Sequence, residues 1–310
     1  MTAGTVQPAR RASQWRRNWA KLCQYRSIYL LLLPVAAYFL VFSYYPMLLG
    51  VFNSFREIKL LGNASFVGLK NYRSIFSSPV YAQAFVNTVI VGAGTFVLQF
   101  VWGLLLALSM NELRHRAARS LVQTVTYIPY LLSWSVIGSL WITLLSPGGL
   151  VNGLLQALGL TQKPIVFMAE RSMARGIMIF TGAWKGAGYT AALLLAAIIG
   201  IDPTLDEAAA IDGATRFRQI LCITIPETIP TIKVVVMLGV MGMLRNFDQI
   251  FVMSNANILD RVRNLLYLIY TDGIVQFRIG PASAAACLVL VATYVISTIV
   301  RKAIRYDEEA

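Results

Sequence analysis

Charge is scarce in this chain of 310 residues. Only 13% are Asp, Glu, Lys or Arg, while 57% are hydrophobic. A soluble domain carries about 25% charged and about 45–50% apolar residues. A single soluble globular domain is therefore excluded, as are disordered and collagen-like chains. Cysteine is almost missing. Cys23, Cys222 and Cys287 lie far apart, form no C-x-x-C and leave an odd one over, which excludes a disulfide framework and a zinc cluster. There is one histidine, His115, in a basic loop that suits a solvated side chain. No G-x-x-x-x-G-K-[ST] occurs, so the chain cannot cradle a nucleotide in the Walker A manner.

What remains is long apolar runs, which indicate a polytopic membrane protein. A spanning helix needs about 20 apolar residues. Six runs qualify, at 28–51, 84–110, 121–145, 176–200, 229–252 and 282–300. They are continuous rather than alternating, so helices are expected and not barrel strands. The first run is too long for a signal-peptide core and no small-residue cleavage site follows it, so it reads as an uncleaved span. The chain divides into a basic segment at 1–27, a six-span domain at 28–302 and a tail at 303–310. No nucleophile–base or metal constellation lies at one membrane depth, so no catalytic or metal-binding residue is assigned.

The formal net charge is +13. In a soluble protein that would suggest nucleic acid; here it reads as the basic excess that keeps cytoplasmic segments inside. The segments at 1–27, 111–120, 201–226 and 301–310 are denser in Lys and Arg than the alternate set. The cluster from Arg10 to Arg26 and the loop with Arg114, Arg116 and Arg119 carry most of the bias. Both termini are thus expected in the cytoplasm.

Segment 201–226 has a pattern of its own. Thr204 and Glu207 have capping-box spacing, and Asp206 and Glu207 suit the positive end of a helix dipole. Ala208, Ala209 and Ala210 favour a short helix, and Asp212-Gly213 supplies a turn. A second short helix can then run toward Pro226. The stretch 204–226 resembles the EAA motif of the membrane subunits of ATP-binding-cassette importers. Glu207, Ala208, Ala209, Gly213, Ile223 and Pro226 fall in register with it, and Ile225 stands where that family has Leu. Phe66-Val67-Gly68-Leu69-Lys70-Asn71-Tyr72, Asn87-Thr88, and Pro46 with Asn53-Ser54-Phe55 are similar to sugar-importer permeases of the maltose-type branch, including those that take up polysaccharide fragments.

The resemblance implies an all-α integral membrane permease of the type I importer class, with six transmembrane helices and a short cytoplasmic coupling helix. It implies a second homologous permease subunit, a dimeric ATPase that contacts Glu207, Ala208, Ala209, Asp212 and Gly213, and an extracytoplasmic binding protein that delivers an oligosaccharide. It places the chain in a bacterial cytoplasmic membrane. No cofactor is expected on this chain, since ATP and Mg would sit on the partner ATPase, and no nucleic-acid partner is expected.

Polar and small residues inside spans are candidates for a sugar pathway. In the fourth span Gly182, Gly186 and Tyr189 share a helical face with Lys185 beside them. In the fifth, Gly239, Gly242 and Asn246 fall at i, i+3 and i+7. Counted from the glutamate of the motif, these positions are similar to those lining the maltose-type sugar site. Small-residue helix packing would place glycines there equally well. Lys185 and Arg245 could meet an acidic sugar. Alternatively Arg245 pairs with Asp248 one turn on, and Lys185 snorkels. Gly186-Ala187-Gly188-Tyr189-Thr190-Ala191 satisfies G-x-G-x-x-A, but no strand precedes it, so a dinucleotide site is not expected. Aromatics such as Tyr127, Tyr130, Trp134 and Trp141 are explained by interfacial belts. Two other readings stay open: the same fold carrying another solute, such as glycerol phosphate or a polyamine, and an ion-coupled secondary transporter, for which Asp248 is the candidate intramembrane acid.

Overall fold

The computed structural model describes residues 24–58, 64–113 and 115–304. Most of the basic segment 1–27, Arg114 and nearly all of the tail 303–310 lie outside the described residues. The chain divides into two units, Met1–Asn53 and Ser54–Ala310.

In the first unit one apolar helix, α1, runs from Arg26 to Asn53. It widens into a π-turn over Leu40–Tyr44. Pro46 follows, and its ring would crowd the carbonyl four residues back, at Phe42. A wider turn accommodates that ring without ending the helix.

The second unit opens with a two-residue hairpin, β1 Arg56–Glu57 against β2 Ser65–Phe66, in the register Arg56↔Phe66 and Glu57↔Ser65. The fold is otherwise helical. Asn71, at the start of α2 (Lys70–Phe76), is buried and donates to the carbonyls of Ser54 and Arg56, both at 2.9 Å. Tyr72 Oη and Ser54 Oγ are 2.8 Å apart. The Gly68–Tyr72 stretch thus ties α2 to the hairpin.

Helix α3, Pro79–Asn111, is long enough to cross a membrane, as is α7, Ala174–Ile199. They pack through small residues. A Cβ at Gly94 would stand 2.6 Å from Ile179, and one at Gly103 would stand 2.5 Å from Thr190. Lipid offers no hydrophobic drive between helices, so close backbone approach and dense contact must hold this pair.

The third span is not the single helix that its apolar run suggests. Helix α4 (Arg116–Leu131) and helix α5 (Trp134–Leu144) meet at 101°. Pro129 removes a donor near the end of α4. Ser133 then takes extended geometry and accepts from the Val136 amide at 3.4 Å, starting α5 as an N-cap. Composition could not show the break, because Leu131-Leu132 keep the run apolar across it. Helix α6, Leu150–Ala157, follows.

Helix α8, Pro203–Ile211, is the short helix expected after the fourth span, but its cap differs. Asp202, not Thr204, is the N-cap; its carboxylate accepts from the Thr204 amide at 3.0 Å. Pro203 fixes the first helical φ, which places the start two residues earlier than the Thr204–Glu207 spacing implies. Helix α9 runs from Arg216 to Met243 as one apolar span, with a π-turn at Ile220–Thr224 ahead of Pro226. It repeats the device seen before Pro46. The second short helix therefore continues into the fifth span instead of stopping at Pro226. That span ends at Met243, nine residues before the expected 252. After a turn, α10 (Asp248–Met253) and α11 (Leu259–Val262) lead to α12, Leu265–Val275, and to the last span α13, Ile279–Ala303.

Side-chain amides fasten these last pieces. Asn87 on α3 is fully buried and donates to the carbonyls of Asp260 and Arg263 at 3.0 and 2.9 Å. Its oxygen accepts from Arg175 at 2.7 Å. Thr88 Oγ1 accepts from the Leu265 amide at 3.0 Å. A buried acid appears at a position the sequence did not single out: Asp272, within α12, accepts from Tyr81 at 2.6 Å. Asp248, the candidate intramembrane acid, is exposed at the start of α10.

Candidate functional site: a polar cavity and a coupling helix

A cavity of about 330 Å³ opens between α3, α7, α9 and the turn after α9. Small-molecule sites occupy roughly 300–1,000 Å³. Gly182, Lys185, Gly186, Tyr189, Gly239, Gly242, Arg245 and Asn246 all line it. The helix-face argument holds on α7, where all four of its residues sit within one helix. On α9 it holds only for Gly239 and Gly242. Asn246 lies beyond the helix end, so its i+7 spacing is not what brings it to the cavity. Asn246 Nδ2 donates to Gln249 Oε1 at 2.7 Å. Gln249, fully buried, donates to the Met178 carbonyl at 2.7 Å and to Thr181 Oγ1 at 2.8 Å. Asn264 Nδ2 donates to the Asn246 carbonyl. The turn is thus clamped to α7 and to the start of α12.

The glycines divide. A Cβ on Gly182 would stand 2.9 Å from Thr95 Cγ2, one on Gly186 2.3 Å from Gln99 Oε1, and one on Gly239 2.0 Å from Phe96 Cε2. These three make room for α3 side chains. Gly242 faces open space, with nothing within 4 Å. Gly188, the second glycine of the G-x-G-x-x-A sequence, packs on a backbone: its Cβ would stand 2.0 Å from the Thr126 carbonyl oxygen. That sequence lies inside α7 and serves helix contact.

Two further readings are corrected. Lys185 does not snorkel: it is 8% exposed and its ammonium donates to the Tyr130 carbonyl at 2.8 Å. Arg245 does not pair with Asp248. The helix that would set them one turn apart has ended, and no ion pair joins them among the described residues. Tyr130 and Trp134 are cavity wall and not only interfacial belt. The Tyr130 ring stacks on Tyr189 at 4.5 Å and 15°.

Sequence reasoning missed the α3 side of the cavity, formed by Gly92, Thr95, Phe96 and Gln99. Gln99 donates to Thr190 Oγ1 at 2.9 Å. Thr95 Oγ1 is buried without a hydrogen-bond partner. Thr95 and Gln99 are polar residues one turn apart inside an apolar run, a signal that was present but not used. Gln249, three residues after Asn246 in the same expected run, is likewise a polar residue whose signal was present but not used.

The second site is α8. None of its residues is buried, and Glu207, Ala208, Asp212 and Gly213 are exposed while Ala209 is half-buried. Gly213 has φ +79 and empty space around a would-be Cβ. The Gly213 amide donates to Ala210 O at 3.1 Å and the Ala214 amide to Ala209 O at 2.9 Å. This is a Schellman closure, and it needs a left-handed residue at 213. Ile211 and Phe217 stand 87% and 71% exposed beside it. The Thr204 amide holds the Asp202 carboxyl below its ordinary pKa. The arrangement is a rigid, capped helix with an apolar rim. Among the described residues no metal-binding cluster occurs.

A family model described as a binding-protein-dependent transport system inner membrane component matches residues 99–305. The polygalacturonan/rhamnogalacturonan transport system permease protein YteP of Bacillus subtilis (strain 168) is 34% identical over 288 residues, 89% of this chain and 88% of the relative. The arabinooligosaccharides transport system permease protein AraP of the same organism is 28% identical over 96% of this chain and 94% of its own length. A chain of a bacterial ABC transporter involved in the import of the acidic polysaccharide alginate superposes with a TM-score of 0.85 at 31% identity, covering 93% of this chain and 98% of that one. With helices of spanning length, a capped coupling helix and a polar cavity inside the helical unit, the chain belongs to the family of inner-membrane permease components of binding-protein-dependent ABC transport systems.

Proposed function

We propose that this chain is one of two permease subunits of an ATP-driven importer for an oligosaccharide cut from a complex polysaccharide. The observation that carries the reading is the cavity. It joins stacked tyrosines, which suit the flat faces of sugar rings, to side-chain amides and hydroxyls that suit their edges. Relatives named for polygalacturonan, arabinooligosaccharides and alginate support the same solute class, alongside others named for sn-glycerol-3-phosphate. A glycerol phosphate or a polyamine would leave the aromatic wall without a purpose. Membership of this family removes the ion-coupled secondary transporter.

In this reading the chain performs no covalent chemistry and binds no cofactor; ATP and Mg sit on a partner ATPase dimer. Helix α8, through Glu207, Ala208, Ala209, Asp212 and Gly213, passes the ATPase's closure to α7 and α9, the two helices it joins. A second permease subunit completes the pathway, and an extracytoplasmic binding protein delivers the sugar, as in the alginate complex solved with its oligosaccharide-bound periplasmic protein. The protein is multi-pass in the bacterial cytoplasmic membrane, with both termini in the cytoplasm. The test is to purify the chain with its partner subunits and measure ATPase stimulation by the binding protein loaded with a panel of sugars. Stimulation by at least one oligosaccharide is expected. Stimulation by glycerol phosphate or a polyamine instead would overturn the reading.

A further inference from the structure

Two cations line the cavity, and the fold treats them in opposite ways. Lys185 is enclosed. Its ammonium donates to the Tyr130 carbonyl and lies 5.3 Å from the centre of the Tyr130 ring and 5.5 Å from that of Trp134. The break between α4 and α5 explains this carbonyl. Its regular helical donor would be the amide of Trp134, but Trp134 already begins the next helix. Lys185 replaces that donor. Removing it would leave a carbonyl unsatisfied and would free the ring stacked on Tyr189.

Arg245 is placed differently. It is exposed and follows the end of α9, and among the described residues its guanidinium has no hydrogen bond or ion pair, only its backbone being bonded within the turn. Asp248, three residues on, is also exposed, lines the same cavity and does not neutralise it. The lining of one cavity thus holds an unpaired guanidinium and an unpaired carboxylate. A guanidinium fork matches a carboxylate with two parallel hydrogen bonds, and a carboxylate accepts from sugar hydroxyls. A hexuronate carries both complements on one ring. A neutral sugar would desolvate Arg245 and give it no counter-charge.

We propose that Arg245 reads a carboxylate on the transported oligosaccharide, whose class is therefore an oligouronide, and that Lys185 is a positioning residue holding the Tyr130–Tyr189 wall. The inference rests on the oligosaccharide reading above. It reassigns the two cations: one selects the charge of the solute and the other braces the protein at a broken span.

The test uses the full transporter in proteoliposomes, with its partner permease, ATPase and binding protein. It measures ATP-dependent uptake of uronic-acid trisaccharides and of their methyl esters, which keep the hydroxyls and lose the charge. For Arg245→Gln, the ratio of acid to ester uptake is expected to fall about tenfold or more, the scale of a lost charge-assisted hydrogen bond. Arg245→Lys restores part of that ratio and Arg245→Glu lowers it further. Lys185→Met lowers both uptakes by a common factor and leaves the ratio in place. A common factor for Arg245→Gln, or a changed ratio for Lys185→Met, overturns the assignment while the oligosaccharide reading stands. Uptake of neutral oligosaccharides with none of uronides overturns the substrate class alone. Uptake of no oligosaccharide at all overturns both.

Discussion

Residues 200–202 are all that separate α7 from α8, yet the two helices are built on opposite principles. More than half of the apolar window of α7 is buried. Its Gly182, Gly186 and Gly188 exist to be small. No residue of α8 is buried, and its closing glycine exists to be left-handed. One residue type therefore does two jobs within 32 positions, from Gly182 to Gly213, and only the surroundings tell them apart. A steric glycine fails when a Cβ meets a neighbour; a conformational glycine fails when the backbone cannot reach positive φ. The first failure is paid in stability of the bundle, the second in the shape of the surface offered to a partner.

Substitutions can break that distinction. The largest effect is expected for Gly188→Ala, whose methyl would meet the Thr126 carbonyl oxygen, an atom of the backbone that cannot swing aside. A loss of about 1–3 kcal/mol is expected, read as a lower unfolding temperature in detergent and a lower yield of folded protein. Gly186→Ala meets only the end of the Gln99 side chain, so it should cost less than Gly188→Ala. Adding Gln99→Ser should recover much of that cost, with a coupling of about 0.5–3 kcal/mol in a double-mutant cycle. A purely additive cycle would mean that the α3–α7 contact is not what Gly186 serves.

Gly213→Ala should cost about 1–2 kcal/mol of local backbone strain and leave the bundle's unfolding temperature unchanged. Its readout is transport per ATP hydrolysed in the reconstituted complex, which should fall. If the unfolding temperature fell as it does for Gly188→Ala, the contrast between the two kinds of glycine would collapse. The smallest effect is expected for Asp202→Ala, which removes an exposed cap: slightly faster amide exchange in α8 and little else. The pH dependence has a definite sign. The carboxyl of Asp202 is held below its ordinary value in the folded state, so its contribution is complete above the unfolded pKa, about 3.9. It is lost as pH falls through the lower folded value. The protection of α8 amides, taken relative to their intrinsic exchange at each pH, should therefore fall only in that acid range, and this fall should be lost in Asp202→Ala.

Much of this fold was legible in the sequence, and the reasons are local. Apolar length located the spans, and the Asp212-Gly213 turn appears where it was read, with Gly213 at φ +79. The stretch from Gly68 to Tyr72 and the pair Asn87-Thr88 turned out to be hydrogen-bond anchors for a hairpin and for the chain around 260–265. What stayed hidden was mostly where helices stop. The break after Leu131 and the end of α9 at Met243 both fall inside apolar runs, and hydropathy does not register a change of direction within lipid-compatible sequence. Helix ends expose carbonyls and free the next residues for the cavity, which is why Lys185 braces one end and Arg245 and Asn246 project from the other. The cap of α8 was read two residues late because Pro203 is itself a good first helical residue.

The central claim is that the sugar passes through the cavity beside Gly242. The direct measurement places a thiol there, Gly242→Cys, in a chain whose Cys23, Cys222 and Cys287 are replaced by Ser and which retains uptake. The rate of alkylation by a membrane-impermeant reagent is followed in the reconstituted transporter during ATP turnover, with and without loaded binding protein. The expected result is reaction in the absence of sugar and clear protection when a transported oligosaccharide is supplied. Equal rates in the two conditions, with uptake intact, would contradict the claim.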